Sequence, residues 1–207
     1  GVQKYALNQK YNRIKKFISS GKLLDIGGGL GEFAEFMNSK NFEASLQDNH
    51  SNYNGEITIY NDLNTINSKF DIITMWHVLE HIHDVNSALN WVNNHLNNSG
   101  FIVLAVPNHN AVERQFYQKD WAPYDAPRHL YHFDILTLSK LLNKHNIEIV
   151  KKYTLIQDTF YNILLSIKKF NLLSIFQALF VLHVCIFKTL FHGTKFSSSI
   201  MVLCRKK

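Results

Sequence analysis

Three consecutive glycines and a fourth two residues on, Gly27-Gly28-Gly29-Leu30-Gly31, follow the apolar run Leu23-Leu24-Asp25-Ile26. They lead into Glu32-Phe33-Ala34-Glu35-Phe36-Met37, which reads as a helix. A glycine turn between a strand and a helix leaves main chain bare, so a ligand can approach backbone N–H groups and the helix N-terminus. A dinucleotide fingerprint needs glycine at its first, third and sixth positions. Counting from Gly27 the sixth is Glu32, and counting from Gly28 the third is Leu30. The Gly-Lys-Ser/Thr that closes a phosphate-cradling loop is absent. Asp25 stands just before the turn, where a carboxylate repels a pyrophosphate and suits a cation. An amino-acid-like, positively charged ligand is therefore expected. A second group could move protons: His77 and His81 in Trp76-His77-Val78-Leu79-Glu80-His81, and His129 and His132 in Arg128-His129-Leu130-Tyr131-His132. Imidazole titrates near neutrality, which makes each a candidate proton acceptor.

Strands and helices must bring these groups together. Residues 3–19 predict an amphipathic helix, broken by Ser19-Ser20-Gly21. Strands are expected at 22–26, 43–47, 56–60, 70–75, 101–106, 147–153 and 198–204. Between the fourth and fifth, Asp84 caps a helix carrying Val85, Ala88, Leu89, Val92 and Leu96 at helical spacing. Asp134 caps another, with Phe133 placed to staple against Leu138. Residues 109–133 show no period and read as a long loop, usually a sign of function in a compact domain. Strand–helix alternation predicts an α/β, doubly wound sheet with its site at the carboxyl ends of the strands. Asp25, Asp48, Asp62, Met75 and Asn108 all fall at such ends. Asp48-Asn49 closes the second strand, where a carboxylate can accept both hydroxyls of a ribose.

Asp25-Ile26-Gly27-Gly28-Gly29-Leu30-Gly31 resembles the first motif of class I S-adenosylmethionine-dependent methyltransferases. Phe70-Asp-Ile-Ile-Thr-Met-Trp-His-Val-Leu-Glu-His-Ile, Asn98-Ser-Gly-Phe-Ile-Val-Leu-Ala-Val-Pro-Asn and Arg128-His-Leu-Tyr-His-Phe narrow the resemblance. Together they look like the branch holding ubiquinone-biosynthesis O-methyltransferases and bacterial polysaccharide and metabolite enzymes. The likeness covers roughly residues 20–156 and resumes at the last strand. It implies a Rossmann-like seven-stranded sheet in the order 3-2-1-4-5-7-6, strand 7 antiparallel, and S-adenosylmethionine as cofactor. That cofactor carries a sulfonium and an ammonium but no phosphate, in accord with the charge argument. The resemblance places Asp25, Gly27, Gly28, Gly29, Gly31, Asp48, Asn49 and Met75 around the cofactor, and Asp62-Leu63 beside the adenine. For methyl transfer to oxygen, His81 or His129 is the expected base and His77 or His132 the alternate. Trp121 and Tyr124 are expected as lid walls, Glu80 as a structural carboxylate, and no metal is expected.

At 207 residues the chain suits one domain. Its net charge of +6 is uneven. Residues 1–150 hold 13 Lys/Arg against 15 Asp/Glu, whereas residues 151–207 hold 9 Lys/Arg against Asp158 alone. The slightly acidic body, with no Asn/Asp-Pro-Pro-aromatic motif after strand 4, speaks against a nucleic-acid partner. Residues 157–196 form an insertion between strands 6 and 7 that the resemblance does not explain. Within it 160–191 is both apolar and basic, which predicts a helical hairpin on an anionic membrane surface, a homodimer interface or a pocket cap. On α-helical geometry Ser174, Gln177, Val181, Cys185, Lys188 and His192 form a narrow polar stripe. Cys185 and Cys204 lack metal spacing, and no signal pattern opens the sequence, so a cytoplasmic protein, peripheral on the inner membrane surface, is expected. The acceptor is expected to be a small molecule, a glycan or a lipid-linked compound. The rival reading is a non-catalytic protein of the same fold that binds a partner.

Overall fold

The computed structural model describes residues 1–207, the side chain of Val2 excepted. The strands are β1 (Gly21–Ile26), β2 (Phe42–Gln47), β3 (Thr58–Tyr60), β4 (Phe70–Trp76), β5 (Leu96–Pro107), β6 (Ile147–Thr154) and β7 (Ser199–Lys206). They form one seven-stranded sheet in the order β3-β2-β1-β4-β5-β7-β6. The first five run parallel; β7 is antiparallel to both β5 and β6. Because successive strand residues point to opposite faces, each apolar run feeds two cores. Leu24, Ile73 and Ile102 lie under α3 (Val85–His95) and α5 (Ile135–Lys144). Leu23, Ile72 and Val103 lie under α1 (Val2–Ile14) and α2 (Glu32–Asn38). β1 sits between β2 and β4, so the strand order reverses beside the glycine turn and opens a crevice there.

Local signals set the helix starts. Asp84 accepts the Ser87 N–H at 3.0 Å. Asp134 and Thr137 form a reciprocal capping box, and Asn171 and Ser174 form another at the head of α7 (Leu172–His192). The insertion is a helical hairpin of α6 (Ile156–Ser166) and α7. α4 (Val112–Tyr117) packs beneath it, with Val112, Ile163, Val181 and Cys185 as a small third core.

Five sequence expectations change, the first being the opening helix, which stops at Ile14 instead of running to 19. The supposed loop 109–133 holds α4 and two 3-10 turns, Gln118–Asp120 and Ala122–Tyr124. β5 begins at Leu96, because Asn97 is held to Asp71 at 2.7 Å and the chain bulges past it. Asn108 faces no ligand. It is fully buried, and its amide donates to the carbonyls of Thr194, Lys195 and Ser197. The polar stripe of α7 does not face water along its length: Val181 and Cys185 at its centre are buried against α4 and α6.

Asn108 thus ties the end of β5 to the segment entering β7. Asn108→Ala leaves these carbonyls without their donor and is expected to destabilise the fold by about 2 kcal/mol. Urea unfolding reads this directly, and an unchanged midpoint contradicts it.

Candidate functional site

The glycine turn is compressed from below and open above. A Cβ on Gly28 would lie 2.2 Å from Leu46 Cδ1 and 2.6 Å from Asp25 Oδ2, whereas a Cβ on Gly29 meets nothing within 4 Å. Gly27, Gly29 and Gly31 have φ of 65°, 56° and 75°, the left-handed region that L side chains rarely adopt. Asp48 reaches across from β2, its Oδ2 accepting the Gly29 N–H at 3.0 Å and its Oδ1 the His50 N–H at 2.8 Å. Each oxygen keeps a second lone pair, so Asp48 can still accept a hydroxyl. Ser51 donates to the Gly29 carbonyl, closing the loop after β2 over the turn.

The other sequence-derived cofactor residues divide. Asp25 is only 1% exposed and supports the turn from beneath, its Oδ1 accepting the Thr74 hydroxyl at 2.5 Å. Burial pushes its carboxyl up to about 7. Direct contact between Asp25 and a cation is therefore replaced by support of the turn. The Met75 side chain is fully buried in the core, because β4 continues to Trp76 and the sheet edge starts one residue later. Asn49 is exposed and accepts from Gln47 at 2.8 Å. Asp62 caps the turn Leu63–Thr65, accepting the Asn64 N–H at 2.9 Å, with Leu63 half-buried behind it.

Beyond β4 the chain makes a strained exit, with His77 at φ 57°. Gly27 touches this exit: a Cβ there would lie 2.5 Å from Val78. A cleft of about 640 Å³ opens beside it, lined by His77, Glu80, Pro123, Asp125, His129 and Asp158 among others. His77 Nε2 lies 3.0 Å from Asp158 of α6, and its Nδ1 lies 3.4 Å from Glu80. Burial opposes its charge, but the two carboxylates outweigh burial and raise its pKa to about 9. His77 is thus a cation at neutral pH, which removes it as proton acceptor.

His81 and His129 meet edge to face, centroids 4.6 Å apart. His81 Nδ1 lies 3.0 Å from the Arg128 carbonyl and His129 Nδ1 lies 2.7 Å from the Pro123 carbonyl. Carbonyls only accept, so in both neutral rings Nδ1 carries the proton and Nε2 the lone pair. Glu80 is 1% exposed, and neither of its oxygens has a hydrogen-bond partner. One ligand atom from each of Glu80, His81 and His129 lies within 4.8 Å of the others. Such a donor set can work on a proton or hold a divalent cation.

The remaining expectations move elsewhere. His132 is exposed and stands with His109 and Tyr124 over a separate cleft, near Arg114. Burial and the neighbouring His109 and His129 hold its pKa below the ordinary value. Trp121 is 2% exposed and packs beneath Tyr124 at 5.2 Å, so it supports this region instead of walling the cleft. Ala122 and Pro123, from the same turn, form the wall. Sequence reasoning missed Lys10, whose Nζ stands 4.0 Å from the Trp76 ring, and Asp158. Nothing local marked Lys10. Asp158 was marked by being the last acidic residue of a basic, apolar quarter.

A family model for a methyltransferase domain matches residues 2–152. No curated protein matches significantly. The fold is similar to a SAM-dependent methyltransferase from Archaeoglobus fulgidus, at 16% identity and TM-score 0.62, over 99% of this chain and 94% of that one. It is also similar to magnesium protoporphyrin IX methyltransferase from Synechocystis with bound SAH, at 12% identity and TM-score 0.63, over 99% and 83%. A third likeness is to phosphoethanolamine N-methyltransferase 2 of Haemonchus contortus in complex with S-adenosyl-L-methionine. Its identity is 14% and its TM-score 0.61, over 96% of this chain and 52% of that one.

The His77 pair predicts a pH dependence of stability. The folded-state pKa of about 9 lies above the ordinary 6.5, so the stabilisation is complete below pH 6.5 and is lost as pH rises through 9. Melting temperatures of the protein should fall across that window more steeply than those of His77→Gln. Parallel curves contradict the ion pair.

Proposed function

This chain belongs to the methyltransferase-domain family, and we propose that it transfers a methyl group from S-adenosylmethionine to an oxygen of a small-molecule, glycan or lipid-linked acceptor. The observation that carries the reading is a shared wall: the bare turn at Gly27–Gly31 abuts Val78, and His77 and Glu80 on either side of it line the cleft. Open space above Gly29 and the Asp48 carboxylate beside it fit a cofactor with hydroxyls and no phosphate. When bound, S-adenosylmethionine supplies an electrophilic methyl on a sulfonium. The branch resembling ubiquinone-biosynthesis O-methyltransferases remains the finer part of this proposal.

The chain's own residues do the rest. An alcohol must lose its proton as it attacks, and a half-buried imidazole with a free lone pair is suited to take it. His129 Nε2 is that group, its ring oriented by the Pro123 carbonyl, with Asp125 Oδ2 3.8 Å from Nε2. Glu80 and His81 stand beside it. The pocket walls Ala122 and Pro123 exclude water from one side. A neutral amine can attack before it loses a proton, so the base is what favours oxygen over nitrogen. The grouping of buried Glu80 with His81 and His129 favours a second use of the same residues, as ligands of a divalent cation that would lower the acceptor's pKa.

Calorimetry with S-adenosylhomocysteine should show binding that Asp48→Ala weakens about tenfold or more, the loss of one charge-assisted hydrogen bond. Unchanged affinity contradicts the ribose role. His129→Ala should lower turnover by about 100-fold or more while leaving that affinity nearly intact. Turnover that survives chelation assigns the imidazole as base. Turnover abolished by a chelator and restored by a divalent cation assigns Glu80, His81 and His129 as ligands. Binding of S-adenosylhomocysteine with no turnover on any acceptor would favour the non-catalytic alternative.

A further inference from the structure

α7 is built inside out for a protein surrounded by water. Of its 21 residues only Val181 and Cys185 are buried, and by length and composition it could cross a membrane. Its outward side presents Leu173, Phe176, Phe180, Phe187 and Leu190, each at least 60% exposed. α6 adds Phe160 and Tyr161, both 61% exposed. Patches of this kind on a monomer mark an interaction surface.

We propose that the α6–α7 hairpin seats the protein on an anionic bilayer surface, with α7 lying in the plane of the interface. The proposal does not depend on the methyl-transfer reading. A spanning orientation is ruled out by the packing. Val181 and Cys185, at the middle of the helix, are packed against Val112 of α4 in the body as well as against Ile163 of α6. A spanning α7 would hold its midpoint at the centre of the hydrocarbon, together with the polar domain attached to it. The chain also leaves α7 at His192 and by Ser199 is paired in the sheet as β7, on the same side it started from.

Charge selects the occupant. Lys168 and Lys169 occupy the α6–α7 turn, and Lys188 and Lys195 stand at the far end of α7, all four exposed. Lys168 approaches Asp120 at 3.7 Å on the surface. No acidic residue follows Asp158 in the chain. In a two-fold dimer built on this face the lysines would find no free acidic partner on the hairpin, whose one acid, Asp158, is paired with His77. Anionic head groups complement them, and long lysine stems let the ammonium reach the head groups while the helix sits at the acyl boundary. Between the helices lies a small apolar groove of about 130 Å³, lined by Ile163, Phe170 and Leu182 among others, which can take part of an acyl chain. Tyr161, Asn162 and Leu165 of α6 line the candidate cleft, so docking brings that cleft to the lipid surface.

Flotation of the full chain with vesicles is the test. Protein should float with vesicles of phosphatidylcholine and phosphatidylglycerol at low salt, and partition about tenfold or more weakly onto phosphatidylcholine alone. Leu173→Asp with Phe176→Asp should abolish flotation, and Lys168→Glu with Lys169→Glu should remove the preference for anionic vesicles. These positions are exposed, so melting temperature and S-adenosylhomocysteine binding should stay as in the parent, which separates lost docking from misfolding. Protein remaining in the soluble fraction with both vesicle compositions overturns the proposal. A stable homodimer by analytical ultracentrifugation, dissociated by Leu173→Asp with Phe176→Asp, overturns it as well.

Discussion

The structure depends on one steric constraint: the main chain at Gly27–Gly31 must pass over Asp25 and Leu46 with no room for a side chain at Gly28. β1 can occupy the centre of the sheet only if the chain then bends sharply into α2, and the left-handed φ of Gly27, Gly29 and Gly31 supplies the bend. The same compression exposes backbone above Gly29 and brings Asp48 onto its N–H. Buried Asp25 is part of this scaffold. Its carboxyl fills the space under the turn and bonds to Thr74 of the adjacent strand, so β1, β2, β4 and the turn form one unit. A single packing arrangement therefore sets the topology of the sheet and the location of the site.

How far the sequence was legible follows from whether each signal was local. Strand positions were readable because two buried faces demand near-continuous apolar runs, as in Phe70–Met75, and caps were readable because Asp84 and Asp134 bond within three residues. The order 3-2-1-4-5-7-6 came from resemblance, and the pairing confirms it. Met75 misled because a strand's last residue cannot be read to within one position, and one position in a strand exchanges core for rim. Asn108 misled because a polar residue at a strand end looks the same whether it serves a ligand or three carbonyls of a distant segment. The helix α4 was hidden because Val112–Tyr117 is too short to show a period.

The polar cluster illustrates the same limit at the site. Four histidines were identified by type, yet their roles were decided by partners far away in sequence. His77 is made a cation by Asp158, 81 residues on, and His129 is oriented by Pro123 in a turn that looked irregular. His132 faces a different cleft altogether. Glu80 read as structural because an isolated acid at a turn usually is, and only its burial without a hydrogen-bond partner marks it out. The groups that face this buried carboxylate are His77, with Nδ1 at 3.4 Å, and the rings of His81 and His129.

Asp158 also joins two parts of the chain that composition separates. It begins the basic, apolar quarter, and its carboxylate reaches back to His77 at the exit of β4. Burial opposes its ionisation, but His77 holds its pKa below the ordinary value, so the pair persists as ions at neutral pH. The hairpin is therefore attached to the candidate site through its first turn, while its second helix turns apolar side chains outward. An ordinary amphipathic helix buries its apolar stripe and leaves polar residues in water. α7 buries the middle of its more polar line, with Cys185 beside Glu113 at 3.4 Å, and this leaves the greasy side without a partner in the chain. Hydrophobic burial inside the domain does not account for that arrangement, which is what the proposed docking on a lipid surface would explain.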